Sequence, residues 1–171
     1  MELRKIKFED LPVRVDWMNN PIIYNTMHYG IPITLENTQN WFAKNVDNQN
    51  RIDVTFCESM CNGGGGYVAM GGLTSIDRTV GKAELYIFVN PELLGKGIGT
   101  KATRKLCQYG FSELGLEKIY LYTDKGNVAA QKVYEKVGFR LEGTLRNEIL
   151  TRTGHITDRL YYGLLKHELI E

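Results

Sequence analysis

The sequence predicts one α/β domain with a mixed sheet, and three observations carry that prediction. Short segments rich in β-branched and aromatic residues recur at Arg51–Met60, Tyr67–Asp77 and Lys82–Asn90, each bounded by turn residues. Two amphipathic helical segments follow, separated by the strand-like KIYLYT at Lys118–Thr123. Strand–helix–strand–helix order in the second half marks an α/β architecture.

The elements follow in order. Met1–Lys7 alternates apolar and charged residues and predicts a short strand. Glu9–Asn19 predicts a helix with Pro12 in its first turn, where no amide partner is lost, and Asn20-Pro21 breaks it. Thr34 is the expected N-cap of a second helix ending near Asn45, with Thr38, Trp41, Phe42 and Val46 at helical spacing. Asn62 and the glycines of Gly63–Gly66 are expected to join two strands as a hairpin. Gly97 or Gly99 opens a helix to Leu114, with Ala102, Leu106, Gly110 and Leu114 on one stripe and Gly115 beyond its end. Asn127–Val137 predicts another helix, closed by Gly138. Arg140–Arg146 and His155–Leu165 predict two last strands around a Thr153-Gly154 turn.

With 171 residues, one core and one domain spanning 1–171 are expected. A net charge of +1 argues against nucleic acid or membrane adhesion driven by bulk charge. Three cysteines without zinc-like spacing predict no metal site; with no apolar run in MELRKIKFED, they also predict free thiols and a cytoplasmic location.

The most informative stretch is Pro91–Thr100, PELLGKGIGT. A strand ends, three alternate glycines follow, and a helix begins. Gly95, Gly97 and Gly99 let the backbone approach a ligand, and amides at the helix start point outward. No acid lies between Leu93 and Ser112, while Lys96, Lys101, Arg104 and Lys105 are basic, so a pyrophosphate fits. The spacing matches neither the Rossmann nor the Walker pattern.

Glu84–Thr100, followed by Asn127, Ala130, Tyr134 and Gly138-Phe139, resembles the GNAT superfamily. The tail, with Glu142-Gly143, Gly154 and Asp158, resembles the branch of ribosomal-protein and spermidine acetyltransferases. That family's pyrophosphate motif is Q/R-x-x-G-x-G/A; Gly97 and Gly99 match it, and Leu94 departs from its first position. The resemblance implies a GNAT fold, with a mixed, mostly antiparallel sheet of about six to seven strands and about four helices. It also implies acetyl-CoA as co-substrate, an amine acceptor and a homodimer.

Residue by residue, the resemblance places pantetheine along Ile87, Phe88 and Val89. It places the pyrophosphate on the backbone of Leu94, Gly95, Lys96, Gly97, Ile98, Gly99 and Thr100. Asn127, Ala130 and Tyr134 then lie beside the cofactor on one helix face. Tyr134 is the expected general acid, since a phenol keeps its proton at neutral pH. Asn127 is expected both to cap its helix and to touch the cofactor. Glu84 is the candidate general base, with Ala83, Leu85 and Ile87 on the opposite strand face; His28 and His155 are alternatives.

The acceptor pocket is expected among Trp17, Asn20, Tyr24, His28, Tyr29 and Trp41, with Glu148 and Asp158 from the last strands. No acid occurs between Asn20 and Glu36, which disfavours a polycation and favours a small amine such as an amino sugar. A ribosomal-protein N-terminus and a polyamine are the alternatives. A non-catalytic acyl-CoA-binding module is the reading from another class.

Overall fold

The computed structural model describes residues 1–58 and 66–170. Seven strands form one sheet: β1 (Glu2–Lys5), β2 (Ile52–Cys57), β3 (Tyr67–Asp77), β4 (Lys82–Val89), β5 (Lys118–Asp124), β6 (Arg140–Leu150) and β7 (Ile156–Leu165). Among the described residues five helices accompany them: α1 (Leu11–Met18), α2 (Pro21–Tyr24), α3 (Leu35–Asn45), α4 (Ile98–Ser112) and α5 (Val128–Val137). The sheet order is β1-β2-β3-β4-β5-β7-β6. Every neighbouring pair is antiparallel except β4 and β5.

The two faces of β4 bury against different partners. Ala83 and Leu85 pack with Leu73, Ala102, Leu106, Ile119 and Val137 beneath α4 and α5. Phe88 packs with Trp17, Ile23 and Met70 beneath α1 and α2. Side chains of a strand alternate faces, so the helices lie on both sides of the sheet. Each fully buried side chain of this size contributes about 1.5–3 kcal/mol.

Local sequence accounts for most boundaries. Thr34 Oγ1 accepts the Asn37 amide at 3.2 Å and starts α3. Asn20-Pro21 does break α1, but Asn20 Oδ1 also accepts the Ile22 amide at 3.0 Å, with Pro21 in the first turn, and so starts α2. β6 runs to Leu150 rather than Arg146, because pairing with β7 resumes at Ile149–Thr157 after an irregularity. The glycine-rich connection of the first hairpin lies, at residues 63–65, outside the described residues.

One thiol expectation fails: Cys57 is disulfide-bonded, a pairing that counting cysteines cannot reveal. Cys107 is free and buried in the core, and burial pushes its thiol pKa up.

Asp10, fully buried, ties the start of the chain to the sheet. It accepts hydrogen bonds from the two terminal nitrogens of Arg4 (2.6 and 2.7 Å), the Lys7 amide (2.9 Å), Thr55 Oγ1 (3.0 Å) and the Tyr67 hydroxyl (3.0 Å).

Gly138 ends α5 at φ +113°, with its amide on the Tyr134 and Glu135 carbonyls. The Glu168 carbonyl oxygen occupies the space a Cβ would need. Gly138→Ala therefore combines backbone strain with a backbone clash. It is expected to cost about 2 kcal/mol or more, read as a lower urea midpoint; an unchanged midpoint would show that the C-terminal turn yields freely.

Candidate active site

The site begins where two strands part. β4 and β5 pair only through Lys82–Lys118, Ala83–Ile119 and Glu84–Tyr120. Beyond that point Leu85–Val89 pair with β3 alone, and Leu121–Asp124 with β7 alone. The inner edge of β4 thus opens onto a wedge, and its backbone groups can pair with an extended ligand as with another strand.

At the wide end lies the glycine loop. Gly97 caps α4 in the left-handed region, φ +75°, with no side-chain bond to the helix start. Gly95 is also left-handed, φ +77°. The amides from Gly95 to Thr100 donate to no acceptor among the described residues. Six such amides beside a helix N-terminus make a cradle for an anion. Lys96 and Lys101 stand exposed beside it. Arg104 and Lys105 are occupied elsewhere: Arg104 Nε donates to the Ile170 carbonyl (2.7 Å) and Lys105 Nζ to the Met1 carbonyl (2.9 Å).

The sequence-predicted cofactor residues divide by what they can offer. Leu94 is exposed with extended backbone, so its departure from the motif removes no internal contact. Ile98 and Phe88 are buried in the cores, Phe88 edge-to-face with Trp17 at 6.3 Å, leaving their backbones to a ligand. A methyl on Gly99 would stand 3.6 Å from both Val89 and Val133, so β4, α4 and α5 converge there.

On α5, Asn127 Oδ1 caps the helix through the Ala130 amide (3.3 Å), and the Asn127 amide donates to the Asp124 carbonyl (2.9 Å). The Asn127 side-chain amide donates to nothing among the described residues. Two turns on, Tyr134 packs against Phe139 (5.8 Å) and Tyr162 (6.3 Å). Its hydroxyl makes no hydrogen bond among the described residues, yet it is not sealed off. Burial pushes its pKa up to about 12, so it holds its proton throughout the neutral range.

The opposite sheet face is polar and aromatic. Glu84 is half-buried and makes no side-chain hydrogen bond among the described residues. Burial raises its pKa, and Arg159 partly opposes this. Beside it Tyr120, Tyr122 and Tyr161 pack with ring centroids 5.1–6.0 Å apart. Arg159 lies over the Tyr122 ring at 5.2 Å. His28 reaches from the α2–α3 connection to Asp124 at the end of β5.

Sequence reasoning missed Tyr120, Tyr122, Asp124, Tyr161 and Arg159. The alternation in KIYLYTD, with Ile119, Leu121 and Thr123 buried, was the available signal.

Of the expected acceptor residues, His28 reaches this face. Trp17 is core, and Asn20 is a helix cap. Trp41 stacks on Arg14 and Arg51, at 4.5 and 5.2 Å. The Tyr29 hydroxyl donates to the Met18 carbonyl (2.7 Å). Asp158 pairs with Lys125 and accepts the Asn147 amide, both at 3.0 Å. Tyr24 lies under Arg152, which comes from the β6–β7 turn and donates to the Tyr24 and Tyr29 carbonyls. Glu148 is exposed on β6, and its charge helps to raise the Tyr122 pKa. His155 sits in the turn, its amide donating to Thr151 Oγ1 at 3.1 Å.

Comparison with known proteins agrees with this geometry. The acetyltransferase (GNAT) domain family matches residues 1–140. The chain is 35% identical over 98 residues to a spermidine N(1)-acetyltransferase of Escherichia coli (strain K12), covering 57% of this chain and 52% of that one. It is 38% identical over 104 residues to a putative ribosomal N-acetyltransferase of Bacillus subtilis (strain 168), covering 61% and 56%. The matched stretch thus spans about half the length of these curated relatives. The spermidine N-acetyltransferase of Vibrio cholerae, solved with CoA and spermine, superposes with a TM-score of 0.89 at 24% identity, over 98% of this chain and 96% of that one. At that identity the likeness establishes the fold.

Proposed function

The chain belongs to the GNAT acetyltransferase family, and from that premise we propose that it transfers an acetyl group from acetyl-CoA to a primary amine. One observation carries the reading: six amides with no acceptor among the described residues, Gly95–Thr100, stand at the wide end of the wedge between β4 and β5. The cofactor supplies the activated acetyl thioester. The Leu94–Thr100 backbone would hold its pyrophosphate, and the free edge of Ile87–Val89 its extended arm. Tyr134 would keep a proton ready for the departing sulfur. Glu84 would draw the acceptor's amine into the wedge and take a proton from its nitrogen, directly or through water. A cytoplasmic setting belongs to the same proposal; no helix among the described residues is long and apolar enough to cross a membrane.

The relatives' names turn the acceptor away from the amino sugar expected from the sequence, which none of the relatives described above supports. A polyamine of the spermidine type becomes the first acceptor to test, and a face of tyrosines with a half-buried carboxylate suits a cationic amine. A peptide amine is the second reading. It is favoured by the lack of any acid from Pro21 to Leu35, since a polycation leaving water needs negative partners.

The test is thiol release from acetyl-CoA across polyamines, short peptides and amino sugars. Amine-dependent release supports the enzyme and names its acceptor. Acetyl-CoA binding without release with any amine would favour a binding module, and no binding would overturn the proposal. In the active enzyme, the acid limb of kcat/KM should lie above the ordinary carboxylate range, because burial raises Glu84. Glu84→Gln should remove that limb and lower kcat/KM by about 10²-fold. A limb that persists in the variant would assign it to another group.

A further inference from the structure

An acceptor that arrives as an ammonium ion loses two protons from nitrogen on becoming an amide. One is balanced by the proton the sulfur gains; the other goes to solvent. Glu84 accounts for one acceptor of these protons.

The same sheet face offers a second. Asp124 is the last residue of β5 and shares a face with Tyr122 and with Tyr120, the cross-strand partner of Glu84. It stands where β4 and β5 have parted, at the loop leading to Asn127. His28 Nε2 lies 2.8 and 3.0 Å from the two Asp124 carboxylate oxygens, and both side chains are mostly buried. A carboxylate only accepts, so Nε2 carries the hydrogen. The neutral ring must then carry its lone pair on Nδ1, which has no partner among the described residues. Arg159 Nε lies 3.9 Å from Asp124 Oδ1. From the α2–α3 side, Arg152 fixes the carbonyl of the next residue, Tyr29. An oriented imidazole with one free nitrogen, backed by a carboxylate, is the arrangement of a general base.

We propose that His28 is a catalytic base of this site, taking at Nδ1 the first proton of the incoming ammonium ion, with Asp124 as its positioning residue. The assignment rests on the acetyl-transfer reading. The amine then attacks neutral; the second proton leaves by way of Glu84 and solvent and replaces the one Tyr134 gives to the sulfur, and His28 returns the first to solvent.

The test compares wild type with His28→Ala, His28→Gln and Asp124→Asn, using the amine that wild type accepts. Acetyl-CoA affinity, measured by calorimetry, should be unchanged in all of them. At neutral pH kcat/KM should fall about 10²-fold in both His28 variants. The deficit should shrink at alkaline pH, where solvent already removes the proton. Added imidazole should restore part of the rate to His28→Ala and none to His28→Gln, whose side chain fills the space. Asp124→Asn should keep the wild-type melting temperature within a few degrees and lose rate at neutral pH. Full activity in His28→Gln overturns the proposal, as does a deficit that is equal at all pH values and indifferent to imidazole. Wild type failing to bind acetyl-CoA would instead sink the acetyl-transfer reading itself.

Discussion

Tyr134→Phe is expected to bind acetyl-CoA as tightly as the wild type and to lose about 10²–10³-fold in kcat. The variant removes one oxygen that bonds to nothing among the described residues, from a ring wedged between Phe139 and Tyr162. Packing is therefore retained and no hydrogen bond is lost, so the melting temperature should hold. A structural tyrosine behaves in the opposite way, losing stability while sparing kcat. A pKa near 12 also makes this phenol a proton donor and not a phenolate at any working pH. Calorimetry with acetyl-CoA and a single-turnover rate for each protein separate the two roles. An unchanged rate would take Tyr134 out of the chemistry and leave it as part of the core beneath α5.

The largest effect on stability is expected at Asp10. Its carboxylate gathers five donors from Arg4, Lys7, Thr55 and Tyr67 at zero exposure. Asp10→Ala removes the carboxylate that Arg4 grips through two nitrogens and takes the acceptor from the Thr55 and Tyr67 hydroxyls. Breaking a buried pair of this kind costs about 3–5 kcal/mol. For a chain of this length that lowers the melting temperature by about 10 °C.

The pH dependence has a definite sign. Burial alone raises the Asp10 pKa, but Arg4 and the bonds from Lys7 and Tyr67 outweigh it and hold the group below its usual value. A depressed folded-state pKa contributes stability that is present above the unfolded pKa of about 3.9. That stability is lost as pH falls through the folded value. Wild type should therefore weaken steeply in the acid range, and Asp10→Ala should show a shallower slope there. Parallel slopes for the two proteins would mean that another carboxylate governs acid unfolding.

How much could be read in advance depended on distance along the chain. The end of α5 at Gly138 is legible, and the start of α4 to within Gly97 or Gly99, because a left-handed residue is a local demand that glycine meets without a Cβ penalty. Thr34 and Asn127 were legible for the same reason: a cap bonds an amide two or three residues away. The stripe on α4 and the strand at Lys82–Val89 showed through their periodicity. The extra length of β6 was not legible, since its continuation past Arg146 depends on the partner strand.

The candidate site divides along the same line. The sequence by itself determined the glycine loop, the helix carrying Asn127 and Tyr134, and the strand carrying Glu84. Each is a short segment whose residue types already constrain its backbone. Tertiary structure alone decided that β4 and β5 part after Glu84 and Tyr120, which turns those segments into a wedge. It also decided that His28 meets Asp124 across 96 residues, that Arg159 covers Tyr122, and that Asp10 holds Arg4, Thr55 and Tyr67 together. Such contacts depend on sheet register and strand order, and a register set by the whole core leaves no trace in the spacing of the residues it joins.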